Sequence, residues 1–438
     1  MHSDTSSTSD TGDTRTYVSL LGRQPELSLA ELEQVFGHVI PLGDIAATFE
    51  HHRTPNIQRL GGSTKLGEVV AEFETQDWAR LSNKIVRYYT DRLKDFDGKV
   101  TLGMSVYGRE VHPREVQRTG LMIKSALKKK GVSMRLIPND FTELSTATSH
   151  HNKLGLSPNK IELLVIYENQ KVLVAESRGT QNITALAARD QARPKTDAYV
   201  GMLPPKLALM MINLSGITAS GVSSPEADIT ARPSSGTQPE RSAASSAPDS
   251  DIGESGEHGV RILDPFCGTG VVLQEAALLG FDVYGTDLAE KMVDYSRANL
   301  DWLAGKHSIG TVTIEAGDAI EHTWHQPIDA VVAETYLGQP FSAPPAPDKL
   351  DKVRRVVDHI TTSFLENIAH QLEPGTPLCL AVPVWRDGVG RFTFLPVINK
   401  IESLGYEWHT FETVNTKQLA YFREDQIVAR QLLVLTRR

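Results

Sequence analysis

The stretch VRILDPFCGTGVVLQEAALLGFDVYGTD, residues 260–287, decides the fold of the second half of the chain. A short apolar run ends at the acid Asp264 and leads into a glycine-containing turn. A segment rich in alanine and leucine follows and ends at Gly280, and a second β-branched run then ends at Asp287. The order strand, turn, helix, strand predicts the opening of a βαβ unit in a doubly wound α/β sheet.

The glycine turn indicates which kind of ligand such a unit would hold. Gly268 and Gly270 allow a tight bend and a close approach to a ligand. The dinucleotide spacing is absent because Leu273 follows the two valines, and no Lys-Ser or Lys-Thr pair makes a P-loop. Asp287 lies where a carboxylate can accept ribose hydroxyls. A nucleoside without phosphates is therefore favoured, and S-adenosylmethionine is the common one; a tight turn in another doubly wound fold is the alternative.

Composition sets broad limits on the class of protein. A chain of 438 residues, 40% hydrophobic and 23% charged, predicts a globular protein of two or three domains. Cys267 and Cys379 make no disulfide framework and have no metal-ligand spacing, which predicts a reducing cytoplasm and no metal site. No run approaches the ~18 apolar residues of a membrane span, so no membrane partner is expected.

The formal charge of −9 argues mildly against a nucleic-acid partner. Much of the acid excess is local, however, because residues 217–259 hold seven acids against two arginines. A local basic face, rather than the total charge, decides nucleic-acid binding. The same segment is rich in Ser, Ala, Pro and Gly and predicts a disordered insertion. Residues 1–15 predict a disordered tail with no apolar signal-peptide core.

Residues 16–90 alternate strand-like and helix-like patterns and predict an α+β unit. Ser28 and Glu31 have the spacing of a capping box, so a helix is expected to begin at Ser28 and end at Gly37. Its apolar face would consist of Leu29, Leu32, Val35 and Phe36.

Residues 91–193 predict a further α+β unit that contains a basic helix at 114–130. Val116, Leu121, Ile123 and Leu127 are expected to face inward. The lysines on the other face could be an ordinary solvated surface or could contact a nucleic-acid backbone.

Three segments resemble known proteins. The DPFCGTG motif at residues 264–270 resembles the first motif of RNA methyltransferases that carry a THUMP domain. The segment LGRQPELSLAEL resembles the opening of the tRNA guanosine-10 methyltransferase family, and GTQNITALAARDQARP resembles the end of its THUMP domain. The resemblance implies a ferredoxin-like N-terminal domain (16–90), a THUMP-like domain (91–193), a connecting helix (194–216) and a Rossmann-like methyltransferase domain (260–438). That last domain would have a seven-stranded doubly wound sheet ending in an antiparallel pair.

The resemblance also implies S-adenosyl-L-methionine as the cofactor. Asp264 would orient the glycine turn or the methionyl amine, Asp287 would bind the ribose, and Asp318 would bind the adenine amine. Lys206 begins a helix whose corner approaches the cofactor in the family, and the apolar stripe of that helix is expected to be core. The full set of expected cofactor residues is Asp264, Pro265, Phe266, Gly268, Thr269, Gly270, Asp287, Leu288, Asp318, Ala319 and Lys206.

The catalytic motif departs from the family pattern. The family has Asp or Asn, two prolines and an aromatic residue before a glycine, whereas this chain has AETYLGQP. Aligned on Gly338, Glu334 stands at the acid position, and Tyr336 is the aromatic residue that could stack on a base. The missing prolines remove a rigid turn. Cys267 could suggest a carbon-methylating nucleophile, but its place in the cofactor turn favours packing.

These observations predict an S-adenosylmethionine-dependent methyltransferase that acts on a guanine exocyclic amine in tRNA. Methylation of DNA or rRNA is one alternative, and a noncatalytic tRNA-binding relative that retains the cofactor is another. The expected partners are tRNA and a small activating protein subunit. The expected RNA-binding residues are Lys124, Lys128, Lys129, Lys130, Arg135, Arg189 and Arg193.

Overall fold

The structure is a computed structural model that describes residues 14–197, 203–218, 259–341, 343–387 and 389–438. Most of the predicted tail (1–15) and most of the predicted insertion (217–259) lie outside the described residues. Five positions of the predicted connecting segment, 198–202, lie outside them as well.

The first half of the described chain alternates strands with helices, as its sequence pattern predicts. In chain order the elements are β1 (Arg15–Leu21), α1 (Pro25–Phe36), β2 (Val39–Leu42), β3 (Ala46–His51), β4 (Ser63–Phe73), α2 (Trp78–Leu93), β5 (Lys99–Tyr107), α3 (Pro113–Lys129), β6 (Ser133–Leu136), α4 (Thr146–His151), β7 (Lys160–Glu168), β8 (Lys171–Thr180) and α5 (Ile183–Gln191).

These strands form one mixed sheet, which has eight strands among the described residues, in the order β2-β3-β1-β4-β8-β7-β5-β6. The pairing of β4 with β8 carries the sheet across residue 90, where the sequence suggested a domain boundary. Helix α3 packs its residues Val116, Ile123 and Leu127 into the core beneath this sheet. The expected inward position of Leu121 is wrong, because its side chain is 49% exposed beside the lysines.

Helix α1 begins earlier than the capping-box pattern predicts. Pro25 occupies the first turn, where its missing N–H costs no helical bond, so Ser28 and Glu31 lie inside the helix. The Ser28 hydroxyl accepts a hydrogen bond from the Gly22 N–H and donates one to the Gly62 carbonyl. The predicted cap is therefore wrong, and both side chains instead hold neighbouring loops.

The second half of the described chain contains the predicted α/β pattern. Its elements are α6 (Pro205–Leu214), β9 (Arg261–Asp264), α7 (Val271–Leu278), β10 (Asp282–Asp287), α8 (Glu290–Ala304), β11 (Val312–Ala316), β12 (Ala330–Glu334), α9 (Pro347–Ala369), β13 (Pro377–Arg386), β14 (Phe392–Thr393), β15 (Tyr406–Trp408), β16 (Ala420–Tyr421) and β17 (Val428–Arg437).

The main path of the second sheet runs β11-β10-β9-β12-β13-β17-β15, a seven-strand order within the described residues. The first five of these strands are parallel, and β17 runs antiparallel to both β13 and β15. The predicted doubly wound sheet with an antiparallel final pair is confirmed. Short strands β14 and β16 add to β13 and β17. Helices cover both faces, with α7 and α8 on one side and α9 on the other.

Helix α6 lies between the two halves and is buried almost all round. The predicted core residues Leu207, Met210, Met211 and Leu214 are all at most 5% exposed, which confirms that expectation. The Glu31 carboxylate joins α6 to the first half. It accepts hydrogen bonds from the N–H groups of Gly61 and Gly62 at 2.8 and 2.7 Å and from the Asn213 side chain at 2.7 Å.

Glu31 predicts a pH dependence of stability. Burial raises the pKa of Glu31 to about 7, against the opposing hydrogen bonds from Asn213, Gly61 and Gly62. Because its pKa is raised, Glu31 keeps its proton to a higher pH in the folded protein than in the unfolded chain. Stability is therefore lost as the pH rises from the pKa of the unfolded chain towards 7. The wild-type free energy of unfolding should fall by up to about 3 kcal/mol more than that of Glu31→Gln over this range.

Denaturant titrations at closely spaced pH values check this expectation. Glu26→Gln, an exposed change on the same helix, is the matched control and should follow the wild type. Parallel pH curves for wild type and Glu31→Gln would contradict the assignment.

Candidate active site

Carboxylates mark the ends of adjacent parallel strands of the second sheet. Asp264 is the last residue of β9, Asp287 of β10 and Glu334 of β12, while Asp318 follows β11 by two positions. Because these strands are parallel neighbours, the acids gather at one edge of the sheet. This carboxyl edge is where doubly wound sheets bind ligands.

The glycine turn after β9 is held by backbone hydrogen bonds to the two acids. Asp287 accepts bonds from the N–H of Gly268 at Oδ2 and from the N–H of Ala289 at Oδ1, both at 2.9 Å. Asp264 Oδ1 accepts a bond from the Phe266 N–H at 3.1 Å. These bonds fix the turn and point both carboxylates at the same small region.

Both glycines of the turn have positive φ angles, +50° at Gly268 and +80° at Gly270. A Cβ on Gly270 would lie 2.9 Å from the Ser296 hydroxyl, so α8 packs directly against the backbone there. A Cβ on Gly268 would meet only the Phe266 carbonyl oxygen, at 3.9 Å. The space beside Gly268 is therefore not filled by neighbouring described residues, so a ligand can approach the backbone there.

The acids at the carboxyl edge influence one another electrostatically. Burial raises the pKa of Asp264 well above its usual range, the Phe266 N–H opposes that rise, and the charges of Asp287 and Glu334 add to it. Burial also raises the pKa of Asp287, against the N–H bonds from Ala289 and Gly268. A cluster of buried carboxylates of this kind favours a cationic ligand, because positive charge relieves their mutual repulsion.

Glu334 has a partner that the sequence reading missed. Its Oε1 accepts a hydrogen bond from Nε of Arg430, which lies on β17, and the two side chains are only 15% and 8% exposed. Burial raises the pKa of the Glu334 carboxyl, and the positive charge and hydrogen bond of Arg430 oppose that rise. Arg430 is the charged residue in the otherwise largely apolar run IVARQLLVL, a signal that could have drawn attention to it.

The other expected catalytic residue, Tyr336, lies two positions beyond Glu334 and is 47% exposed. Between them Thr335 is buried, and its N–H donates to the Ala381 carbonyl of β13 at 2.9 Å. Gly338 adopts φ +80°, and a Cβ there would lie 2.9 Å from Val353 of α9. The Thr335 hydrogen bond and the packing of Gly338 thus hold the segment after β12, which lacks the prolines of the family pattern.

The remaining expected cofactor residues fall into different environments. Asp318 is half-buried and caps its own turn through the Ile320 N–H, whereas Ala319 is buried in the core beside α9. Pro265 is buried, Phe266 is half-buried, and Leu288 is 72% exposed. The Thr269 hydroxyl accepts a hydrogen bond from Arg193 at 3.1 Å rather than standing open.

Lys206 lies at the start of α6, against the first half of the chain. A Cβ on Gly61 would overlap the Lys206 carbonyl oxygen, so the two backbones are in close contact. Burial lowers the pKa of Lys206, and the nearby positive charge of Arg23 lowers it further. Arg23 belongs to the first half of the chain, and among the described residues the Lys206 ammonium makes no hydrogen bond or ion pair with the carboxylates of the strand ends.

The seven expected RNA-binding residues divide into two groups. Five of them are exposed: Lys124, Lys128 and Lys129 on α3, Lys130 directly after it, and Arg135 on β6. Arg189 and Arg193 are instead 8% and 5% exposed. Arg189 makes two hydrogen bonds to the Glu275 carboxylate of α7, at 2.7 and 3.0 Å. These two arginines join α5 and the loop after it to the second half, so their side chains offer no open surface for RNA.

Neither cysteine is placed for nucleophilic chemistry. Cys267 and Cys379 are buried and form no disulfide. Burial raises the pKa of the Cys267 thiol well above its usual range, and its Sγ lies 3.5 Å from the Ser296 hydroxyl, which supports the packing role. Within the described residues, no group of three or more His, Cys, Asp or Glu side chains is arranged to hold a metal ion. None of the described helices is long and apolar enough to cross a membrane.

Residues 257–386 match the family model of a methyltransferase domain. The fold, the glycine turn and the carboxylates agree with that class, so residues 257–386 belong to a methyltransferase domain.

Two curated proteins, both named tRNA (guanine(10)-N2)-dimethyltransferase, are similar to this chain. The protein from Methanothermobacter thermautotrophicus is 30% identical over 200 residues, which is 45% of this chain and 44% of that protein. The one from Pyrococcus abyssi is 37% identical over 82 residues, 19% of this chain and 21% of that protein. The similarity thus spans less than half the length of either relative. The predicted resemblance to this family is confirmed.

The crystal structure of TrmN from Thermus thermophilus is similar as well. It is 15% identical and aligns with 97% of this chain and 100% of its own, with a TM-score of 0.49.

The buried arginine of α5 generates a prediction about stability. Arg189→Ala should destabilise the folded protein by about 3–5 kcal/mol, because the change leaves the Glu275 carboxylate buried without its cationic partner. Chemical denaturation checks this expectation, with the exposed change Lys128→Ala as the control. A loss of less than 1 kcal/mol would mean that the pair adds little to the junction.

Proposed function

We propose that this chain transfers a methyl group from S-adenosylmethionine to the exocyclic amine of a guanine in tRNA. The observation that carries the proposal is the meeting of Asp264, Asp287 and Glu334 at one edge of a methyltransferase-type sheet. The similarity to two proteins named for the N2 atom of guanine 10 in tRNA supports the choice of nucleotide class.

The residues present suit the proposed cofactor. S-adenosylmethionine carries a sulfonium and an ammonium group, so it would bring positive charge to the buried carboxylates. Asp287 would accept hydrogen bonds from the ribose hydroxyls through the lone pairs that its two bonds to backbone N–H groups do not use. Asp264 would bind the methionyl ammonium. Asp318 would accept from the adenine amine. The open space beside Gly268 would admit the nucleoside.

Glu334 would act on the guanine. The cofactor would supply the methyl group from its sulfonium, and its sulfur would keep the carbon–sulfur electron pair when the amine nitrogen takes the methyl carbon. Glu334 would accept a hydrogen bond from the amine, orient its lone pair towards the methyl group and receive the proton that leaves. Tyr336, exposed at the same edge, would stack on the extruded base.

The exposed lysines of α3 and Arg135 of β6 would contact the tRNA backbone. Contacts of this kind fix the position of an RNA without reading its sequence. Arg189 and Arg193 are left out of this proposed surface because their side chains are buried.

Methyl transfer to tRNA tests the enzyme directly. Purified protein is incubated with labelled S-adenosylmethionine and unmodified tRNA, and the RNA is digested to nucleosides. We expect label in N2-methylguanosine or its dimethyl form. Asp287→Ala should weaken cofactor binding at least about tenfold, because charged hydrogen bonds are worth ~1.5–3 kcal/mol each. Glu334→Ala should abolish transfer with cofactor binding retained.

Glu366→Ala, an exposed acid change on α9, is the control and should leave transfer and binding unchanged. Label in DNA or rRNA but not in tRNA would show that the substrate is not tRNA. Cofactor and tRNA binding without transfer, unaffected by Glu334→Ala, would favour a noncatalytic relative or the need for a small activating subunit.

Charge reversal on α3 tests the RNA surface. The triple variant Lys124→Glu, Lys128→Glu and Lys129→Glu should bind tRNA at least tenfold more weakly at moderate salt. Its slope of log affinity against log salt should be shallower by about 0.7–0.9 for each lost phosphate contact. Reversal of Lys306, Lys352 and Lys400, exposed lysines of the methyltransferase domain, changes the net charge equally. Equal losses in both triple variants would argue against a specific surface on α3.

A further inference from the structure

The contact between Glu334 and Arg430 joins two strands that are distant in sequence. Glu334 ends β12, and Arg430 lies on β17 opposite Pro383 of the intervening strand β13. The hydrogen bond runs from Nε of Arg430 to Oε1 of Glu334, and both side chains are largely buried. This geometry fixes the carboxylate from the side of the sheet that is remote from the glycine turn.

The two oxygens of Glu334 have different environments. Oε1 is occupied by Arg430. Across the part of the chain that the structure describes, no hydrogen bond to Oε2 is recorded, and Oε2 is not among the buried polar atoms that lack a partner. Oε2 is therefore the oxygen left to accept a hydrogen bond from an incoming donor.

Charged groups of both signs surround Glu334. The carboxyl groups of Asp264, on β9, and Asp287, on β10, face the same region. The negative charge of Glu334 contributes to the raised pKa of Asp264. From β17 Arg430 is the cation recorded as acting on Glu334. Burial among other acids would favour a protonated Glu334, which cannot accept a proton, and Arg430 opposes that outcome.

Building on the proposed function, we propose that Arg430 is a positioning residue that holds Oε1 and keeps Glu334 ionised, so that Oε2 accepts the guanine amine. The hydrogen bond from Nε of Arg430 fixes the carboxylate in a segment, AETYLGQP, that lacks the rigid double-proline turn of the family pattern. In the transfer step the amine nitrogen forms its bond to the methyl carbon, the carbon–sulfur pair goes to sulfur, and the amine proton passes to Oε2 and then to water.

The test compares wild type with Arg430→Met and Arg430→Lys. Loss of the cation raises the pKa of Glu334, so the acidic limb of the kcat profile should move to higher pH by about one unit or more. Arg430→Met should lower kcat at pH 7 by at least about tenfold, with less loss at alkaline pH, while KM for tRNA and affinity for S-adenosylmethionine change little. Arg430→Lys should recover part of the rate, because it restores charge without the planar fork.

Arg423→Met, an exposed arginine change before β17, is the matched control and should behave as wild type. A uniform loss of kcat at all pH values, with the acidic limb unmoved in a variant that still binds cofactor, would overturn the proposal.

A second measurement does not depend on turnover or on the folding of an Arg430 variant. Infrared difference spectra of wild type against Glu334→Gln report whether the Glu334 carboxyl is protonated. We expect it ionised at neutral pH, and a protonated carboxyl there would overturn the proposal. If wild type transfers no methyl to guanine, the proposed function fails, whereas the spectra still decide whether Glu334 is ionised beside Arg430, which the role proposed for Arg430 requires.

Discussion

The burial of α6 between two sheets is the constraint on which the rest of the structure depends. Almost every residue of this helix is covered, by α1 on one side and by α7 and β13 on the other. The carboxylate of Glu31 and the contact of Gly61 with Lys206 then fix the first half against it. Helix α7 begins at the glycine turn. Because α6 packs against α7, the helix α6 that joins the two halves also supports the ligand site.

A second junction connects the two halves close to the same turn. Arg189 bonds Glu275 of α7, and Arg193 bonds Thr269 within the turn itself. A glycine turn that must accept a nucleoside gains little rigidity from its own backbone, so support from α5 and α8 matters. The first half of the chain therefore buttresses the site physically, whatever it contributes to the binding of RNA.

The carboxyl edge gathers more negative charge than buried groups normally tolerate. Asp264, Asp287 and Glu334 each have a raised pKa from burial, and only Glu334 has a recorded arginine partner among the described residues. That imbalance favours a cationic ligand near Asp264 and Asp287 and an ionised carboxylate at Glu334. The proposed division between a cofactor side and a catalytic side thus depends on where Arg430 lies.

The sequence by itself determined the α/β order, the position of the glycine turn and the acids at the strand ends. Each of these is a local pattern, in which a strand-length run stops at an acid or a glycine. Only the tertiary structure decided that Arg189 and Arg193 are buried, that Ser28 and Glu31 hold loops instead of capping a helix, and that Arg430 meets Glu334. Those contacts join residues from 34 positions apart (Ser28 and Gly62) to 96 positions apart (Glu334 and Arg430), and the Glu31 bond to Asn213 spans 182 positions. Periodicity reports the face of one element, whereas packing between elements decides which charges meet.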